Sequence, residues 1–131
     1  MKLYSVGLYE QALINKSILK DLNVKRLINR VDPRWGDFIK VDLSLRQIRE
    51  IQNVLIKHYD DASIPWYLVG SDLNDKKELI VAFGADDGDG GRLFQFRKDD
   101  IDKYSEVVRY GIAKGIPESV INFLKLQCKL T

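Results

Sequence analysis

Histidine and cysteine each occur once in this chain, and proline three times. A single cysteine, Cys128, excludes an internal disulfide and suits a reducing compartment. Its place in the apolar pattern of the last segment reads as a buried thiol. One histidine with one cysteine gives too few donors for a zinc centre. No run of about 18 apolar residues is present, which removes the sequence signature of a membrane-spanning helix. The opening stretch MKLYSVGLYEQALINK meets Glu10, Gln11 and Asn15 before an apolar signal core is complete, so a cytoplasmic location is expected. Neither the G-x-G-x-x-G spacing nor a Walker spacing occurs, and no cofactor is implied. Repeats, linkers and low-complexity tracts are likewise missing.

What is present is an ordinary globular composition, 45% hydrophobic and 31% charged over 131 residues. That length matches one domain of about 100–150 residues, so a single α+β domain over 1–131 is expected. The net charge of +2 conceals an uneven spread: residues 1–59 carry 11 basic and 6 acidic groups (+5), residues 60–106 carry 6 and 12 (−6), and residues 107–131 carry 4 and 1 (+3). A regional acidic excess on a nearly neutral chain argues against general nucleic-acid binding and allows a basic protein partner, or else reads as a solvated sheet edge and loops.

The opening residues Leu3, Tyr4, Val6, Leu8 and Tyr9 mix strand and helix periods, and Gly7 favours neither. From Glu10 the spacing of Leu13, Ile14, Ile18 and Leu22 predicts a helix, with a break near Asn23 and a short second helix before Asp32-Pro33. FIKVDL, 38–43, alternates and predicts a strand. Ser44 with Gln47 forms a capping box, after which Leu45, Ile48, Ile51, Gln52, Leu55 and Tyr59 share one helical face. PWYLVG (65–70) and KELIVAFG (77–84), separated by SDLNDK, predict a hairpin, and GRLFQFR (91–97) extends it to a meander. Asp99-Asp100 opens a helix carrying Ile101, Tyr104, Val107, Val108 and Ile112, and Pro117 starts another. The expected fold is α+β, a small antiparallel sheet made of a three-stranded meander plus a short extra strand, packed against several helices.

Within GADDGDGG, 84–91, four glycines and three aspartates stand together. An EF-hand loop needs oxygen ligands at positions 1, 3 and 5, glycine at 6 and glutamate at 12. A start at Asp87 places Gly91 at 5, Arg92 at 6 and Lys98 at 12, and a start at Asp86 places Gly88 at 3 and Arg97 at 12, so both registers fail. A phosphate cradle is excluded by the negative charge and by the strand that follows. A turn explains the glycines but does not need three mutually repelling carboxylates, so the run reads either as a turn alone or as a docking element for a basic partner. His58, near the end of the capped helix, suits the helix dipole and lacks a nucleophile to activate. Trp35, in DPRWGD, reads either as local packing or as an interface anchor.

With PWYLVGSDLN, ELIVAFGADDGDGG, RLFQF and KGIPESV set on a small chain without a catalytic set, the sequence resembles the immunity proteins encoded beside contact-dependent inhibition and other polymorphic toxin systems of bacteria. The resemblance implies an inhibitor that binds and neutralises a cognate toxin, often a nuclease, and implies no particular residue. The charge pattern supplies the candidates: Asp86, Asp87 and Asp89, helped by Asp72, Asp75, Asp60 and Asp61, would face a basic groove, with Trp35 as an anchor. Two other readings stay open: a small hydrolase or nuclease holding magnesium on Asp72, Asp86, Asp87 and Asp89, and a regulatory or scaffold domain.

Overall fold

The computed structural model describes residues 2–28, 33–56, 67–84, 91–122 and 124. Six strands form one antiparallel sheet: β1 (Leu3–Tyr9), β2 (Lys25–Leu27), β3 (Phe38–Ser44), β4 (Tyr67–Asp72), β5 (Asp75–Phe83) and β6 (Leu93–Arg97). Their spatial order is β2-β3-β1-β4-β5-β6. The meander is therefore only the β4–β5–β6 half of a larger sheet, and the expected small sheet is corrected to a six-stranded one. Two helices complete the named elements, α1 (Leu45–Gln52) and α2 (Ile101–Ala113), and residues 118–122 are also helical.

The error lies in the first third of the chain. Residues 10–28 contain two short 3-10 turns, Glu10–Ala12 and Lys16–Leu19, followed by β2. The apolar spacing there was helical, but Asn15 accepts hydrogen bonds from the Ser17 backbone and hydroxyl, a local pairing that competes with a helical ladder. Its buried members, Ala12, Leu13 and Leu19, pack beneath the sheet without a helix. In β1, Tyr4, Val6 and Leu8 enter one core while Tyr9 enters the other, so both faces carry apolar residues and the strand period blurs. Gly7 lies on the same face as Tyr9, and there the Phe38 ring occupies the place a Cβ would take.

The remaining elements follow from their local signals. The capping box is formed: the Gln47 N–H donates to Ser44 Oγ at 3.3 Å, and the Ser44 N–H donates to Gln47 Oε1 at 2.9 Å. Helix α1 nevertheless ends at Gln52, seven residues before Tyr59, because Leu55 leaves the helical path to bridge Leu13. At α2 the Asp100 side chain accepts from the Lys103 N–H at 3.0 Å, the expected acidic cap.

Both faces of the sheet are covered. One core unites Tyr9, Trp35, Tyr67, Val81, Phe83 and Phe94 with Val107 of α2 and with Ile116, Ile121 and Leu124. The other unites Val6, Leu8, Ile39, Val41, Leu68 and Ile80 with Ile48 and Ile51 of α1 and with Leu13 and Leu19. Burial of each such side chain contributes about 1.5–3 kcal/mol. Strand β4, buried at all six positions, is the shared centre of the two cores.

Tyr9 sits at the rim of the first core, edge-on to Trp35 at 4.8 Å and to Phe38 at 5.1 Å. Burial raises its hydroxyl above the ordinary value of 10.0. A raised folded-state value means that the contribution to stability is complete below the unfolded value and is lost as pH climbs through the folded one. In alkaline titration by tyrosinate absorbance, Tyr9→Phe is expected to remove one late-ionising phenol and to flatten the fall of stability above about pH 10. An unchanged alkaline profile refutes this assignment.

Candidate functional site

Strand β5 separates the sequence-predicted acidic residues into two groups. It runs from Asp75 to Phe83, eight rises of about 3.3 Å, so its ends lie about 26 Å apart. Asp72 and Asp75 stand at the hairpin turn, while Gly84 and Gly91, which bound the acidic connection, stand at the far end. Asp60, Asp61, Asp86, Asp87 and Asp89, together with Trp66, His58 and Cys128, lie outside the described residues.

At the turn end the carboxylates are committed to the chain itself. Asp72 is buried, accepts from the Asn74 N–H at 2.9 Å, and lies 3.4 Å from Lys2 Nζ. Asp75 accepts from the Lys77 N–H at 3.0 Å and from Arg97 Nη1 at 3.4 Å. The Lys77 amide is the main reason the Asp75 carboxyl is held below its usual range, with Arg97 adding to it. Lys2 also reaches Glu78 at 3.1 Å, the chief cause of its raised ammonium value. Lys2, Arg97, Asp72, Asp75 and Glu78 thus form an ion-pair network at the turn of the hairpin. Sequence reasoning placed Asp72 and Asp75 on the docking surface; the structure gives them turn-forming and ion-pairing work, distant from the acidic connection.

The other end of β5 is built differently. Phe83 donates its N–H to Arg92 O at 2.9 Å, closing the β5–β6 ladder, and Gly91 has φ +79, a conformation that L side chains rarely adopt. Gln52, 2% exposed at the end of α1, clamps this base. Its Nε2 donates to Phe83 O at 2.7 Å and to Arg92 O at 3.1 Å, and its Oε1 accepts from Arg49 Nη1 at 3.1 Å. The amide is oriented by these partners, two carbonyls on the donor side and a guanidinium on the acceptor side. Arg92 is engaged on its own side of the sheet: its guanidinium carbon lies 4.4 Å over the Phe94 ring, and its Nη2 lies 3.5 Å from Glu106. Lys103, ahead of Arg92, lowers the Glu106 carboxyl. The base of the connection is therefore held by the Gln52 amide, and Arg92 beside it is engaged by Phe94 and Glu106.

Tyr67 and Phe83 are register partners, so the chain enters β4 and leaves β5 at the same end of the sheet. The segment holding Asp60 and Asp61 and the one holding Asp86, Asp87 and Asp89 are both joined there. Trp35, expected as a partly exposed anchor, is 3% exposed and packs edge-on against Tyr9 in the core, because the 3-10 turn Pro33–Trp35 folds inward. Scans against protein-family models, curated proteins and solved structures find no match.

Chemically, the described residues offer charge and shape. No group of three or more His, Cys, Asp or Glu able to hold a metal ion occurs among them, and no helix among them is long and apolar enough to cross a membrane. A magnesium site shared between Asp72 and the aspartates of 85–90 has to reach from one end of the hairpin to the other, and Asp72 already answers Lys2 and the Asn74 amide. Gln52 was legible as a member of the buried face of α1, and a polar residue at such a position was the signal of a buried hydrogen-bonding task.

Proposed function

We propose that this protein is a non-enzymatic binding module, most concretely an immunity protein that neutralises a bacterial toxin by presenting carboxylates at the Tyr67–Phe83 end of its sheet. One observation carries this reading: the register pair Tyr67 and Phe83 joins both acidic segments to the same end. The clamp at Gln52 supports it, since it ties both strand ends that bound the acidic connection to α1. Of the eight residues expected at the interface, Asp86, Asp87, Asp89, Asp60 and Asp61 are retained in the proposal. Asp72, Asp75 and Trp35 are left out because each is engaged elsewhere.

The test is co-expression with the C-terminal toxin region of a secreted protein encoded beside this chain. The unaltered protein is expected to restore growth. Changing Asp86, Asp87 and Asp89 together to Asn is expected to weaken binding, chiefly through a slower association rate, and to reduce its salt dependence. Unchanged affinity and an unchanged salt slope remove the docking role.

A further inference from the structure

The sheet has two edges. At β6 the arginines on either side are occupied, Arg92 by Glu106 and Arg97 by Asp75 and Glu78. At β2, Lys25, Arg26 and Leu27 are all exposed, and among the described residues no strand pairs with their outer side. Leu27 is 39% exposed and Ile28, which follows it, 80%. An edge that combines open backbone groups with exposed aliphatic side chains is a template for a further strand.

The register decides what that strand has to carry. Arg26 stands opposite Ile39, on the face of the second core, where Glu10 neutralises it at 2.8 Å. Lys25 stands directly opposite Lys40, and Leu27 opposite Phe38, on the other face. Like charges directly across a strand pair repel. Neither lysine forms an ion pair within 4.0 Å among the described residues, and Asp42, two residues along β3, stands opposite Ser5. Pairing with a second β2 about a two-fold through Arg26 brings two more lysines to the face that already holds Lys25 and Lys40, so the edge discriminates against its own copy.

We propose that the β2 edge is a docking site for an extended, acidic strand of another protein. The incoming strand places a carboxylate beside Lys25, where it relieves the Lys25/Lys40 repulsion, and an aliphatic side chain two residues away beside Leu27. This site is separate from the acidic end of the sheet and does not depend on it.

The probe is the capped peptide Thr-Leu-Thr-Asp-Thr-Leu-Thr, titrated against the full chain by NMR, with a version bearing lysine in place of aspartate and a version N-methylated at alternate amides. Saturable binding of the acidic peptide is expected, with the largest shifts at residues 24–28. Lys25→Glu with Lys40→Glu is expected to weaken it at least tenfold and to transfer the preference to the lysine peptide. N-methylation on the pairing edge is expected to abolish binding. The proposal is overturned by any one of four results: no saturable binding at millimolar peptide, equal binding by the double variant, undiminished binding of the N-methylated peptide, or a dimer in light scattering that Arg26→Glu disrupts.

Discussion

Phe83→Ala is expected to cost about 3–5 kcal/mol, the range for deleting a buried aromatic ring from a packed core. Phe83 is 1% exposed and lies at the crossing of three other rings, Tyr110 at 4.9 Å, Tyr67 at 6.0 Å and Phe94 at 6.1 Å. These are tilted and edge-on contacts, which add to the area term because the edge of one ring meets the face of the next. Helix α2 approaches at Gly111, where an added Cβ would come within 3.3 Å of the Phe83 ring and 2.7 Å of Ile121. The helix sits close because the glycine lets it. A domain of this size has about 5–15 kcal/mol in total, so the loss is a large share. Urea unfolding followed by tryptophan fluorescence is the measurement, with a lowered midpoint and an unchanged slope as the expected result. A cost below about 1 kcal/mol would contradict the packing of α2 on this ring, since even a conservative core change usually costs that much.

How far the sequence revealed this fold depends on which signals were local. The capping box at Ser44, the acidic cap at Asp100 and the strands around the 67–97 meander are written in neighbouring residues, and each formed where its residues pointed. The β1–β3 pairing was not legible in that way. It joins Leu3 to Ser44 and Tyr9 to Phe38 across a connection whose apolar spacing mimicked a helix, and only the tertiary register separates the two possibilities. The Gly7–Phe38 contact is an instance: the glycine weakened the strand pattern in sequence, yet in the sheet it makes room for an aromatic ring from the neighbouring strand. For the candidate site, the acidic excess was visible as composition, but its division between two ends of β5 follows from strand direction, which composition does not encode. The same holds for the lysine pair at β2, whose members lie fifteen positions apart in the chain and are brought opposite by pairing alone.

Gln52→Ala is expected to cost about 2–4 kcal/mol, combining lost packing with two carbonyl acceptors deprived of a donor. Gln52→Leu separates the two effects, because it restores most of the volume and none of the hydrogen bonds; about 1–3 kcal/mol is expected to remain. The carbonyls concerned are Phe83 O and Arg92 O, on either side of the acidic connection, and Arg92 O also receives the Phe83 N–H. Loss of the clamp therefore loosens a specific place. Hydrogen exchange at the Phe83 amide is expected to accelerate relative to Val81, two residues inside the same strand. If the Gln52 amide acts only as core filling, the leucine variant leaves that ratio unchanged. The two classes of variant also part company on partner binding. Neutralising Asp86, Asp87 and Asp89 changes charge, and with it the association rate and the salt slope. Gln52→Leu changes no charge, so any loss of affinity it causes is expected to come with the salt slope intact. A Gln52→Leu protein that binds with altered salt dependence would place the clamp within the charged surface itself and would refute its role as a support beneath it.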